Sequence, residues 1–178
     1  MTSTLRAFAA ASAAALLLTL AACSSTPAAS ESTTASTPSP ASGDCAGVTV
    51  VVDASVLELD DDPSQEACVE TDEAIVAADA LAELGITTEG TTQYGDAVVC
   101  RVDGVPAEDF ALTAEDGSDY FETCETMPAP FAYWSIWVQP EGGEWEYAQE
   151  GLSTQQLEPG ESLALLFSLN GEPADPTS

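Results

Sequence analysis

The sequence has no lysine and no histidine, and its only two cationic residues are Arg6 and Arg101. Against these stand 31 acidic residues, which give a formal net charge of −29 at pH 7. Proteins that bind nucleic acids neutralise phosphates with Lys and Arg, so this composition excludes a nucleic-acid partner. It also disfavours attachment to an anionic membrane surface through protein charge. We interpret the negative charge as a source of solubility and self-repulsion.

The absence of histidine removes the side chain best suited to act as a general base and as a metal ligand near neutral pH. An enzyme made from this chain would depend on carboxylates, hydroxyls and thiols alone. Acidic pairs such as Glu144 and Glu146 are expected by chance in so acidic a chain. The acidic run at residues 60–62 lacks the spacing and the glycine of an EF-hand. We therefore expect no enzymatic activity, no metal site and no cofactor.

The first 22 residues have the layout of a secretory signal peptide. Arg6 precedes an apolar stretch at residues 7–20, which is too short to span a bilayer. The stretch ends in Leu20-Ala21-Ala22-Cys23, which resembles the bacterial lipobox. By that resemblance, residues 1–22 are removed and Cys23 becomes the lipidated first residue of the mature chain. More than one acyl chain then holds the protein stably on the membrane.

Residues 23–43 are rich in Ser, Thr, Pro and Ala and contain no large apolar side chain. Such a segment cannot bury enough apolar surface to offset the entropy lost on ordering. We expect a disordered tether over residues 23–43, a single folded domain over residues 44–170 and a flexible tail over residues 171–178. With the lipidated cysteine, this layout predicts a protein anchored on the extracytoplasmic face of a bacterial cell membrane.

Apolar and β-branched stretches predict strands at residues 47–53, 97–102, 132–139 and 162–169, with a short returning strand at residues 144–148. The first strand is expected to be buried on both faces. One helix is predicted over residues 71–84, with Thr71 or Asp72 as its N-cap and Gly85 as its left-handed stop. Its apolar face would consist of Ala74, Ala77, Ala78, Leu81 and Leu84. Residues 107–130 are predicted to form a long irregular loop.

Four cysteines remain after Cys23, namely Cys45, Cys68, Cys100 and Cys124. In an exported chain they predict two disulfides, for which three connectivities are open. We favour Cys45 with Cys68, which would join the first strand to the start of the helix. The other pair would then join the long loop to the second strand. Each disulfide is expected to contribute about 3 kcal/mol to stability.

Several short motifs follow one another in the order of a known domain family. They are Ala80-Leu81-Ala82-Glu83-Leu84-Gly85, Cys100-Arg101-Val102-Asp103-Gly104, Tyr133-Trp134-Ser135-Ile136-Trp137, Gly143-Glu144-Trp145 and Pro159-Gly160. Their order resembles DUF4430, a family of small domains similar to the C-terminal domain of transcobalamin. The resemblance covers residues 47–169. It implies an α+β, β-grasp-like fold, in which a mixed sheet of about five strands packs on one helix.

The same resemblance implies a ligand-binding or adhesion module. In transcobalamin-like proteins this domain closes over cobalamin beside a helical domain. The present sequence shows no stretch that predicts such a helical domain, and it has no histidine to coordinate cobalt.

The stretch at residues 131–147 holds all three tryptophans, and its predicted hairpin has a four-residue turn at residues 140–143. That turn length places Val138 opposite Trp145 and Ile136 opposite Tyr147. These four side chains, together with Trp134, would lie on one face and pack under the helix. The other face would carry Phe131, Tyr133, Ser135 and Trp137, opposite Glu144 and Glu146. A register slip of one residue would exchange the two faces of the returning strand.

Phe131, Tyr133 and Trp137 form the candidate binding surface, because aromatic side chains beside carboxylates suit recognition. The alternative is that the loop at residues 107–130 covers Tyr133 and Trp137. We expect a non-enzymatic binding module for a small molecule, either corrinoid-like or cationic. A structural or protein-interaction lipoprotein of the envelope, with no small-molecule ligand, is the alternative function.

Overall fold

The computed structural model describes residues 45–172 and Pro176. The predicted signal peptide, the lipidation site at Cys23 and the tether lie outside the described residues, as does the predicted tail beyond residue 172, apart from Pro176. Along the described part of the chain, no helix has the length and apolar character needed to cross a bilayer.

Short strands dominate the described residues, with one α-helix and one 3-10 turn at Ser55–Leu57. In chain order the elements are β1 (Val48–Asp53), β2 (Gln65–Val69), β3 (Ile75–Val76), α1 (Ala77–Glu83), β4 (Thr88–Thr91), β5 (Gly95–Val102), β6 (Leu112–Thr113), β7 (Asp119–Tyr120), β8 (Ala132–Gln139), β9 (Glu146–Tyr147), β10 (Gln156–Leu157) and β11 (Ser162–Leu169). The predicted bounds of the strands at residues 132–139 and 162–169 are confirmed by β8 and β11.

A five-stranded sheet with the order β2-β1-β11-β8-β9 forms the centre of the fold. Strands β1 and β11 run parallel, and the other neighbouring strands are antiparallel. Three two-stranded ladders, β4 with β5, β6 with β7 and β3 with β10, lie outside this sheet. The prediction of an α+β domain with a mixed five-stranded sheet and one helix is therefore confirmed.

The two faces of the sheet are buried to different extents. Val48, Val50 and Val52 of β1 face the main core, whereas the alternate residues of β1 are only half-buried. The prediction that this strand is buried on both faces is therefore wrong. Strand β11 is the one that is buried on both sides, over residues 163–168. It lies between β1 and β8, and both of its faces carry apolar cover.

The helix is shorter than predicted, because its expected first turns adopt other structures. Residues 75–76 form β3 and pair with β10, and the Thr71 hydroxyl accepts a hydrogen bond from the Glu73 amide at 3.2 Å in a local turn. The amides at the start of α1 donate to carbonyls of a distant loop, Ala77 to Gln155 at 2.9 Å and Ala78 to Leu152 at 3.0 Å. These loop carbonyls replace the predicted side-chain cap.

The apolar face of the helix also differs from the prediction at its first position. Ala74 is exposed and precedes the helix, whereas Ala77, Ala80 and Leu81 enter the main core. The C-terminus follows the prediction. Gly85 has a φ of +74°, and its amide donates to Ala82 at 3.0 Å while the Ile86 amide donates to Leu81 at 3.0 Å. This is the hydrogen-bond pattern of a Schellman motif.

Both predicted disulfides are present, as Cys45 with Cys68 and Cys100 with Cys124. The first disulfide joins Cys45 to β2, and not to the start of the helix as predicted. Strand β2 is an edge strand that hydrophobic patterning did not predict. The second joins β5 to residues 107–130. That segment is not wholly irregular, because β6 and β7 pair within it and Leu112 is buried.

Candidate functional site

The hairpin of β8 and β9 has a register one residue away from the predicted one. Trp137 pairs with Tyr147, and Val138 pairs with Glu146. The connecting loop is therefore one residue longer than expected. It contains a turn in which the Gly143 amide donates to Pro140 at 2.8 Å, and Gly142 adopts a φ of +67°. As a result, each side chain of the returning strand lies on the face of the sheet opposite to the predicted one.

This register moves two aromatic residues away from the helix. Tyr147 stacks on Trp137, with ring centroids 3.8 Å apart and an interplanar angle of 27°. Trp145 packs at the edge of a small second cluster, which consists of Trp137, Ala164 and Leu166. The prediction that Trp145 and Tyr147 pack under the helix is therefore wrong. The prediction holds for Trp134, Ile136 and Val138, which all pack in or against the main core.

Trp137 packs on the second face of the sheet, with Ala164 and Leu166. Its indole N–H donates to the Ser135 hydroxyl at 3.1 Å, and that hydroxyl donates to the Leu166 carbonyl at 3.0 Å. Only 7% of Trp137 is exposed, whereas 49% of Tyr147 is exposed. Tyr147, and not Trp137, is therefore the aromatic ring that this face presents to solvent. Its stack on Trp137 covers that ring from β9, while cover of Tyr133 by residues 107–130 stays a prediction.

The three residues of the predicted binding surface have different surroundings. Phe131 packs at the rim of the main core and makes an edge contact with Tyr120, with centroids 5.9 Å apart. Tyr133 is half-buried and pairs across the sheet with Ser168. Phe131 thus contacts the main core, while Tyr133 and Trp137 belong to the other face. The binding role of these three residues stays a prediction, and the exposed member of the aromatic stretch is Tyr147.

A groove of about 290 Å³ opens beside Tyr147. It lies between the β8–β9 hairpin and the loop that leads into β10, and it is lined by Val138, Glu146, Tyr147, Gln149, Glu150, Thr154, Gln155 and Gln156. Two carboxylates and three carboxamides therefore surround one aromatic ring. At about 290 Å³, the groove lies just below the size range for small-molecule sites, about 300–1,000 Å³. Patterning singled out one wall, in the stretch at residues 131–147, but the other wall comes from residues 149–156, which carry no motif.

No cationic residue lines this groove, and Arg101, the one cation of the described residues, is committed elsewhere. Its guanidinium donates from Nε to Pro106 O at 2.8 Å and from one terminal nitrogen to Glu122 O at 2.7 Å. The other terminal nitrogen donates to Glu89 Oε2 at 3.0 Å. Arg101 is therefore a buried structural residue, and the carboxylates of the groove keep their negative potential.

The donor atoms of Cys100, Glu122 and Cys124 lie within 4.8 Å of one another, as they would in a metal site. However, the two sulfur atoms are bonded to each other and offer no thiolate. The buried carboxylate of Glu122 accepts from the Cys124 amide at 2.7 Å and from the Tyr120 hydroxyl at 2.8 Å. Burial raises the pKa of Tyr120 to about 12, and the neighbouring Glu122 is the second cause of this rise. We interpret this cluster as a structural clamp on the long loop.

No known family, curated protein or solved structure matches this chain. Its function is therefore argued from the groove, the exposed side chains and the motifs of the sequence.

Proposed function

We propose that this chain is a lipoprotein held on the extracytoplasmic face of a bacterial cell membrane by acyl chains on Cys23. The lipobox-like Leu20-Ala21-Ala22-Cys23 supports this proposal. The two disulfides add to it, because disulfides persist in oxidising compartments outside the cytosol. Replacement of Cys23 by Ala should move the protein from the membrane fraction to the soluble fraction and remove the lipid mass. A Cys23→Ala protein that stays in the membrane fraction would contradict the anchor.

We also propose that the folded domain is β-grasp-like and related to DUF4430. The parallel pairing of β1 with β11 and the helix on one face of the sheet support this assignment. The order of the motifs at residues 80–85, 100–104 and 133–137 is the other support. Comparison of the strand order β2-β1-β11-β8-β9 with that of family members tests the assignment, and a different order in that family would overturn it.

The domain acts as a non-enzymatic binding module for a small organic cation. The observation that carries this proposal is the acidic groove beside Tyr147. Glu146 and Glu150 supply negative charge, and the half-exposed Tyr147 lines the same groove; carboxylates beside an aromatic ring suit a cation. A corrinoid, the other ligand class considered, is too large for a groove of about 290 Å³.

Titration of the full chain with choline tests this function. Trp137 and Trp145 lie next to Tyr147, so binding should change tryptophan emission. The matched probe is 3,3-dimethylbutan-1-ol, which has the same shape without the charge and should give no change. Glu146→Gln combined with Glu150→Gln should weaken the choline response. A control with the same change in charge is Asp60→Asn with Asp61→Asn, in an exposed loop. Equal responses to both probes, or no response to either, would refute the cation site.

The second candidate function is a structural or protein-interaction lipoprotein of the envelope, with no small-molecule ligand. It is favoured by three large apolar side chains that are exposed away from the groove, namely Tyr94, Phe121 and Met127. Crosslinking in intact cells should then recover one stable partner. Recovery of that partner together with no choline response would favour this function over the first.

A further inference from the structure

Three exposed apolar residues lie on two segments that run side by side. The Thr92 amide donates to Cys124 O at 2.7 Å, and the Gln93 amide donates to Glu125 O at 3.1 Å. Tyr94 follows Gln93 in the chain, and Phe121 and Met127 lie before Cys124 and after Glu125. The three residues are 45%, 47% and 56% exposed, respectively. We call these three residues the loop patch. Among the described residues, they are three of the four large hydrophobic side chains that are exposed.

The backbone under the loop patch is held in place by several independent interactions. The disulfide to Cys100 fixes Cys124, which has a φ of +57°. Arg101 donates to the Glu122 carbonyl at 2.7 Å, and the Glu122 carboxylate accepts from the Cys124 amide at 2.7 Å. Phe121 and Met127 are therefore presented from an ordered segment. A preorganised surface loses less conformational entropy on binding than a mobile one does.

The charges near the loop patch are all negative. Asp96, Asp119 and Glu125 are exposed on the segments that carry it or adjoin it. Arg101 is the one cation of the described residues, and it is buried and engaged in three hydrogen bonds. A partner that covers the loop patch must therefore offer apolar side chains together with positive charge, because like charges at an interface cost affinity.

We propose that the loop patch docks a protein segment that carries apolar side chains flanked by Lys or Arg. The proposal does not depend on the groove beside Tyr147, since the two surfaces share no residue. Apolar contact with Tyr94, Phe121 and Met127 supplies affinity, and the surrounding carboxylates select a basic partner and accelerate its approach.

The test uses the full chain labelled with [methyl-¹³C]methionine. Met127 is one of only two methionines, the other being Met1, so its methyl resonance reports directly on the loop patch. The probe is a synthetic peptide of Leu and Lys at helical spacing, and binding should shift the Met127 resonance. Two matched peptides, in which Gln replaces each Leu or Glu replaces each Lys, should bind at least about tenfold more weakly.

Variants of the protein locate the binding to the loop patch. Tyr94→Ser combined with Phe121→Ser should raise the dissociation constant about tenfold, as expected when two anchor residues are removed. Ala74→Ser changes an exposed residue outside both the loop patch and the groove and should leave the constant within about twofold. Met127→Gln, at the most exposed position, is a second variant in case the double variant fails to fold. It should raise the dissociation constant several-fold.

Two results would overturn the proposal. One is peptide binding that is equal for the wild type, the Tyr94→Ser and Phe121→Ser double variant and Met127→Gln, since charge alone would then explain it. The other is a shift of the Met127 resonance with neutral phosphatidylcholine vesicles and none with the Leu/Lys peptide, which would assign the loop patch to a lipid surface. Choline titration of the same samples reports on the groove, so failure of one proposal is distinguishable from failure of the other.

Discussion

The ring of Tyr147 lies 3.8 Å from the indole of Trp137, measured between centroids, with the planes inclined by 27°. This contact follows from the β8–β9 register, which places the two residues opposite each other. Trp137 is thereby buried between the sheet and Tyr147, although it belongs to the face away from the main core. The stack joins the short edge strand β9 to the sheet at the rim of the groove.

Replacement of Tyr147 by Ala should expose Trp137 and shift its emission to longer wavelength. The free energy of unfolding should fall by about 1–2 kcal/mol, because the ring contact and part of the apolar burial are lost. Chemical denaturation followed by fluorescence measures both effects. Tyr94→Ala is the matched control, since Tyr94 is 45% exposed and should cost less than about 0.5 kcal/mol. An unchanged emission spectrum in Tyr147→Ala would show that the stack does not shield Trp137.

Replacement of Arg101 by Met should strongly destabilise the protein. The change leaves the carbonyls of Pro106 and Glu122 without their charged donor, at a cost of about 3 kcal/mol. Glu89→Gln is the control, because it weakens only the ion pair with an acid whose side chain is 56% exposed. That change should cost less than about 1 kcal/mol. Equal losses in thermal denaturation would mean that the exposed ion pair accounts for the role of Arg101.

Removal of the disulfide between Cys100 and Cys124, by replacing both residues with Ala, should cost about 3 kcal/mol or more. It should also allow limited proteolysis within residues 107–130, because the disulfide and the Glu122 clamp hold that segment. The control removes Cys45 and Cys68, which close a loop of similar length at an edge strand. Cleavage within residues 107–130 in the control as well would contradict a local role for the second disulfide.

Alkaline pH should weaken the clamp at Tyr120. Burial, with Glu122 as the next cause, raises the pKa of Tyr120 from 10.0 to about 12 in the folded state. The folded state then holds a proton that the unfolded state has lost, so stability falls as pH rises from about 10 to about 12. Tyr120→Phe should flatten this part of the pH dependence of unfolding. If stability falls just as steeply over this pH range in Tyr120→Phe, another titrating group is responsible for the fall.

The elements with continuous apolar patterning were predictable from the sequence. Strands β8 and β11 have the predicted bounds, and the left-handed stop at Gly85 follows from a local signal. By contrast, β2 is an edge strand that contains Glu66 and is followed by Glu70, so its pairing left little trace in hydropathy. Edge strands carry exposed and charged residues because only one of their sides is paired.

The start of the helix was mispredicted for a similar reason. The spacing from Thr71 onward suits a helix, yet residues 75–76 pair with β10 from far along the chain. A short helix forms few of its own hydrogen bonds, so tertiary partners decide where it begins. The amides of Ala77 and Ala78 find those partners in the carbonyls of Gln155 and Leu152.

The sequence by itself determined the bounds of β8 and β11, a cysteine count that suits two disulfides and the excess of negative charge, because each of these follows from composition or from local patterning. Only the tertiary structure decided which aromatic ring reaches solvent. One additional residue in the β8–β9 loop places Tyr147 over Trp137 and opens the groove beside it. Strand register depends on how loop geometry and packing on both faces are satisfied together, and no local pattern contains that information.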